Sequence, residues 1–180
     1  MNSHVVTVPE RERAAEIPKD IAKRQNYIQI VEADMKDYAK NKSPMTDAMR
    51  KEIGAAILDA INQSRRDMEA PKDTFQYQGF RIRIPTLRAD EEPYVKLYGN
   101  HGGSYRVKMD TDKPVGCCQI LNHYLGTQLE KIKERHEKKC MIGRQTIRHI
   151  WSEIEKGNPH IRRLEVLREE LDQLEKELNL

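Results

Sequence analysis

The sequence predicts an α+β protein: a small antiparallel β-meander of about four strands packed with long α-helices, ending in a coiled-coil-like helix. Three observations carry that expectation. Residues 74–109 are the one stretch where apolar side chains alternate with polar ones, as in half-buried strands. On both sides the apolar residues instead recur at three and four, the spacing of a helical stripe. Near the C-terminus Leu164, Leu167, Leu171, Leu174 and Leu178 keep that step through a heptad seam, flanked by Arg168, Glu169, Glu170, Glu175, Lys176 and Glu177.

Residues 1–17, with the charged run Pro9-Glu10-Arg11-Glu12-Arg13, lack apolar periodicity and read as a disordered arm. Residues 18–72 read as a helical hairpin. Its first helix starts near Pro18, with Ile21, Ile28 and Met35 a heptad apart and Val31 and Tyr38 between them, and stops near Asn41. Pro44 suits the first turn of the second helix, whose stripe is Met49, Ile53, Ala56, Ile57, Ala60 and Ile61.

The meander occupies residues 73–110. A short first strand turns at Gln78-Gly79 into Phe80-Arg81-Ile82-Arg83-Ile84. Pro93-Tyr94-Val95-Lys96-Leu97-Tyr98 forms a third strand, and Gly99-Asn100-His101-Gly102-Gly103 links it to Tyr105-Arg106-Val107-Lys108-Met109. The inner face is expected to hold Phe80, Ile82, Ile84, Val95, Leu97, Val107 and Met109, and such a sheet needs helices over its apolar side.

Residues 111–180 read as helices ending in the heptad helix. Asp112 stands as the cap residue before Lys113-Pro114, and Cys118, Leu121, Leu125, Leu129 and Ile132 form the stripe. Met141-Ile142-Gly143 marks a break or bend, helical spacing resumes with Ile147, Ile150 and Ile154, and Gly157-Asn158-Pro159 separates the last helix. The pattern leaves open whether the leucine seam closes within the chain or between chains.

Composition narrows the function classes. With 37% hydrophobic and 34% charged residues the core is small. A net charge of +3 dictates no partner, but residues 131–149 concentrate seven basic against two acidic side chains. Cys117, Cys118 and Cys140 are too few for a disulfide scaffold and read as reduced thiols of a cytoplasmic protein. Neither a signal peptide nor an apolar run of membrane-span length is evident, so no membrane partner is expected. The glycine-rich loop at 99–103 lacks the Gly-Lys-Ser/Thr ending of a phosphate loop, and neither a nucleophile-base pair nor a dinucleotide fingerprint occurs. His136 and Cys140 have the spacing of a two-ligand metal clip, with Cys117, Cys118 and His123 upstream, but no third ligand is placed. No catalytic residue, metal or cofactor is therefore expected, and the chain reads as a non-enzyme.

Two clusters are candidate nucleic-acid-binding surfaces. Strand alternation puts Arg81, Arg83, Lys96, Arg106 and Lys108 opposite the core with Tyr94 and Tyr98 among them, cations for phosphates and rings for unpaired bases. Long polar side chains on a solvated sheet face are the plainer reading of the same pattern. The second cluster is the basic stretch Lys131, Lys133, Arg135, Lys138, Lys139, Arg144 and Arg148, which would extend the first if helix and sheet shared a face.

The run Phe80-Arg81-Ile82-Arg83-Ile84, then Tyr94-Val95-Lys96-Leu97-Tyr98-Gly99, Gly103-Ser104-Tyr105-Arg106-Val107, Ile120-Leu121-Asn122 and Leu129-Glu130 resembles the C-terminal region of large phage and conjugative-element proteins. Those proteins join a Swi/Snf-like helicase, often with an adenine DNA methyltransferase, to such a tail. The closing run from Glu170-Leu171-Asp172 to Glu177-Leu178-Asn179-Leu180 is similar to the way they end, and the resemblance covers residues 75–180. It implies an accessory role in mobile-element DNA processing, with DNA or the parent helicase domains as partners. No Walker, helicase arginine or methyltransferase Asn-Pro-Pro-Tyr/Phe motif matches here, so no catalytic residue carries over. The expected function is a non-catalytic accessory module contacting nucleic acid through the basic sheet face. The alternative is a protein-interaction or homo-oligomerisation module built on the leucine seam.

Overall fold

A computed structural model of the chain describes residues 8–69 and 74–155, with side chains from 15–69 and 74–152. Helices α1 (Val8–Asn41) and α2 (Asp47–Asp67) precede strands β1 (Thr74–Tyr77), β2 (Phe80–Arg83), β3 (Tyr94–Tyr98) and β4 (Ser104–Lys108). Helix α3 (Pro114–His123), a wide turn at Tyr124–Gln128 and α4 (Leu129–Glu155) follow. The α+β class is the one the hydrophobic pattern predicts. The heptad leucines Leu164, Leu167, Leu171, Leu174 and Leu178 lie outside the described residues. No helix among the described residues is long and apolar enough to cross a membrane.

Two compact units are distinguished: Gln25–Glu137, and Met1–Arg24 together with Lys138–Leu180. In the larger unit the four strands form an antiparallel meander in chain order. Its inner face buries Tyr77, Phe80, Ile82, Val95, Leu97, Tyr105 and Val107, continued by Ile84 and Met109 just past the strand ends. Against them pack Val31 and Tyr38 of α1, Ile57, Ala60 and Ile61 of α2, Cys118 and Leu121 of α3, and Leu125 and Leu129 beyond it. Among the described residues helices cover one face of the sheet, and alternate residues reach solvent on the other: β2 and β4 alternate strictly between buried and exposed.

The close fit of α2 to α3 depends on Gly54, where an added Cβ would sit 1.8 Å from the Pro114 carbonyl oxygen. Buried Ser64 ties α2 to the β2–β3 loop, its hydroxyl donating to Pro85 O at 2.7 Å and accepting from Leu87 N at 3.1 Å. The β1–β2 turn places Gln78 and Gly79 at φ of 51° and 86°, the left-handed pair of a two-residue hairpin. Gln78 is held there because its amide accepts from Ser43 N at 2.9 Å and donates to Ser43 O at 3.3 Å.

Several boundaries differ from the sequence expectation. Helix α1 begins at Val8, inside the stretch expected to be a disordered arm, and carries Pro18 in its interior. Alanine, glutamate and arginine are good helix formers even without an apolar stripe, and Glu16–Lys19 and Asp20–Arg24 pair one turn apart at 2.8 and 2.7 Å. Helix α2 starts after Pro44, with Thr46 as the cap whose Oγ1 accepts from Met49 N at 3.3 Å. Met49, placed on the apolar stripe by spacing, is 47% exposed. At α3 the capping position is Lys113, not Asp112, and Thr111 Oγ1 accepts the Lys113 amide at 3.1 Å. The expected break at 141–143 is absent, since α4 runs through it. Gly143 serves close packing instead: a Cβ there would lie 3.2 Å from Ile21 of the same unit, where Cys140 Sγ faces Ile21 O at 3.9 Å. At Tyr124–Gln128 the backbone widens so that Leu129 N–H donates to Tyr124 O, absorbing one extra residue while Leu125 and Leu129 both stay buried.

Glycine-to-alanine changes inside helices ordinarily stabilise by about 1 kcal/mol. Gly54→Ala is expected to do the opposite, lowering unfolding free energy by about 1–3 kcal/mol because the Pro114 backbone must move. Urea denaturation of the two proteins checks the sign.

Candidate nucleic-acid interface

The outer sheet face is built by register. Arg83 pairs with Lys96 and Lys96 with Arg106, so three cations lie side by side across β2, β3 and β4. On one side of that row Arg81 lies opposite Tyr98, and on the other Tyr94 lies opposite Lys108. All seven side chains therefore share one face: Arg81, Arg83, Arg106 and Lys108 are exposed, and Tyr94, Lys96 and Tyr98 half-buried. The rings hold the guanidinium groups, with the Arg106 carbon 3.6 Å from the Tyr94 centroid and that of Arg81 5.7 Å from the Tyr98 centroid.

Like charges directly opposite one another on a sheet destabilise it. The molecule offsets the row only at its β4 end. Glu91 and Glu92, from the β2–β3 loop, meet Arg106 at 3.4 Å and Lys108 in close contact, and the Lys108 ammonium holds the Glu92 carboxyl below the usual range. The loop is steadied from beneath by Arg65 of α2, whose guanidinium donates to Glu91 O. Arg83 and Lys96 enter no ion pair among the described residues.

The second basic stretch lies along α4 and is shared between the two units. Leu129 is buried in the core and Ile132 packs against it, which puts the start of α4 in the helical layer, behind the sheet. Successive helix residues turn by about 100°, so Lys131 and Arg135 share a side from which Lys133 points away. Lys133 instead pairs with Glu130 at 2.8 Å and approaches Glu32 of α1 at 4.0 Å, and the Glu130 hydrogen bond raises its pKa. Lys138, Lys139, Arg144 and Arg148 are exposed on α4 within the smaller unit. Among the described residues no three His, Cys, Asp or Glu side chains gather as a metal site.

Sequence reasoning missed the clasp that holds the β3–β4 loop. Asp34 of α1 is fully buried and accepts from Tyr105 Oη at 2.7 Å and from His101 N at 3.3 Å. Gly99 and Gly103 admit it, since a Cβ on either would fall within 2.1 Å of the carboxylate. One turn on, Asp37 accepts from Asn100 Nδ2 at 3.2 Å and pairs with His101 Nε2 at 3.1 Å, and Asn100 and His101 hold its carboxyl below the usual range. The signal was present: Asp34 stands three after Val31 and four before Tyr38, a carboxylate within the apolar stripe.

Comparison with family models, curated proteins and solved structures returns no match.

Burial raises the phenol pKa of Tyr105, aided by its bond to Asp34, and burial likewise raises that of Tyr77, which donates to Asn122 Oδ1 at 2.9 Å. A phenol whose pKa is higher folded than unfolded contributes stability that is complete below the unfolded value of 10.0 and is lost as pH rises beyond it. The unfolding midpoint is therefore expected to fall steadily above about pH 10, and Tyr105→Phe to flatten that fall. At neutral pH the same substitution should cost about 1–3 kcal/mol, because Asp34 Oδ2 loses its buried donor. Thermal melts across pH check both effects.

Proposed function

We propose that this chain is a non-catalytic module that holds single-stranded nucleic acid on the outer face of its sheet. The observation that carries the reading is the Arg83–Lys96–Arg106 row, which crosses three strands and, among the described residues, has no carboxylate paired to its first two members. Such a row costs stability in the free protein and is relieved by a polyanion whose charges are spaced along it. The rings supply the second half of the recognition. Tyr94 and Tyr98 flank the row, and aromatic faces on a sheet stack unpaired bases without demanding a sequence.

The cellular setting we propose is DNA processing on a mobile element, with the chain as an accessory to a helicase or methyltransferase. That setting rests on the sequence resemblance over residues 75–180. The basic sheet face supports it, since an accessory that keeps a strand in place needs contacts to phosphate and ring and no reacting group. Arg81, Arg83, Lys96, Tyr98, Arg106 and Lys108 are the contacts proposed. Lys131 and Arg135, in the layer behind the sheet, are assigned no part in this face.

Fluorescence anisotropy with a labelled single-stranded oligonucleotide tests the reading. Binding is expected to weaken with salt, and the log–log salt slope to shrink by about 0.7 for each phosphate contact removed. Arg83→Ala and Lys96→Ala should each lower the slope, whereas Arg135→Ala should leave it as it is. Absence of salt-dependent binding, or equal losses from all three substitutions, would reject the assignment.

A further inference from the structure

The larger unit contains a half-open cavity of about 210 Å³ where α2 meets the ends of β3 and β4. Leu58, Ile61 and Met109 give it apolar walls, while Asn62, Arg65 and Asp112 line it with polar groups. Arg65 supplies the unusual feature. One nitrogen of its guanidinium donates to Glu91 O, which fixes the group at the cavity wall and leaves further N–H donors on it for a ligand that carries an acceptor.

Size and chemistry together restrict the occupant. The volume is below the roughly 300 Å³ at which pockets for drug-sized molecules begin. Apolar walls suit the faces of a flat ring, and an edge bearing both acceptors and N–H donors would match the donors of Arg65 and Asn62 and the carboxylate of Asp112. An unpaired nucleobase has that combination. Position points the same way. The Met109 amide donates to Pro93 O at 2.9 Å, one step beyond the Tyr94–Lys108 pair that ends the basic face, and Pro93 also lines the cavity. Glu91, whose backbone Arg65 holds, reaches with its side chain to Arg106, which in turn stacks on Tyr94.

We infer that this cavity accepts one base of the strand whose phosphates lie along the Arg83–Lys96–Arg106 row. The inference rests on the interface reading above and adds a pocket to a surface that otherwise offers only open stacking. A base seated there fixes the strand at one end of the face, so binding acquires a register that charge alone does not supply.

Methyl NMR spectra of the whole chain, titrated with each of the four deoxynucleoside monophosphates and with base-free deoxyribose 5-phosphate, test it. Saturable shifts of the Leu58, Ile61 and Met109 methyls are expected with at least one nucleotide and none with the sugar phosphate. No response to any nucleotide, or an equal response to the sugar phosphate, would overturn the inference. A second arm uses Asn62→Trp, which changes an exposed position and fills the cavity mouth. It is expected to abolish those shifts and weaken oligonucleotide binding about tenfold with the salt slope unchanged; wild-type shifts and affinity would overturn the assignment. The two readings fail separately. Nucleotide shifts beside salt-independent oligonucleotide binding remove the cation row and keep the pocket, and the reverse result removes the pocket alone.

Discussion

A sheet covered on one side sends every second residue to water, and here that constraint decides what the molecule displays. The strands bury Phe80, Ile82, Val95, Leu97, Tyr105 and Val107 against the helices. The intervening Arg81, Arg83, Lys96, Arg106 and Lys108 then have nowhere to go but the opposite face, and antiparallel register draws three of them into one line. Slipping one strand by a single residue would bury cations and expose the core. The energy that holds the apolar face inward is thus also what keeps mutually repelling charges together.

Two further features keep that face in order. At one end Asp34, Asp37 and the glycines of the β3–β4 loop lock the hairpin to α1 through hydrogen bonds rather than apolar packing. At the other, Ser64 and Arg65 of α2 hold the β2–β3 loop and with it Glu91 and Glu92. These two carboxylates neutralise the β4 side and leave the β2 side open. The charge on the face is consequently graded, partly offset by carboxylates at Arg106 and Lys108 and not, among the described residues, at Arg83 and Lys96.

Much of this was legible in the residues. Period-two alternation in Phe80-Arg81-Ile82-Arg83 and Tyr105-Arg106-Val107-Lys108 located two strands and both their faces, because a pleated backbone has no other way to sort side chains. Tyr77 and Tyr105 were not foreseen on the inner face. Tyrosine suits either side of a sheet, and these two are buried through hydroxyl partners far off in sequence, Asn122 and Asp34. The paired roles of Glu91 and Glu92 were hidden for a similar reason, since loop conformation rather than periodicity brings them to β4. The basic stretch of α4 reads as one run in the sequence, but a helix turns neighbours about its axis, so Lys133 leaves the side that Lys131 and Arg135 share. The cavity at Arg65 had no sequence signal, being formed by the end of a helix and the ends of two strands.

If a strand lies along the cation row, arginine side-chain spectra report it directly. Nitrogen-15 Nε–H signals of the whole chain, followed while a single-stranded oligonucleotide is added, should shift at Arg81, Arg83 and Arg106 in a common saturation curve and stay fixed at Arg135. Shifts confined to Arg135, Arg144 and Arg148, with the three sheet arginines unmoved, would contradict it.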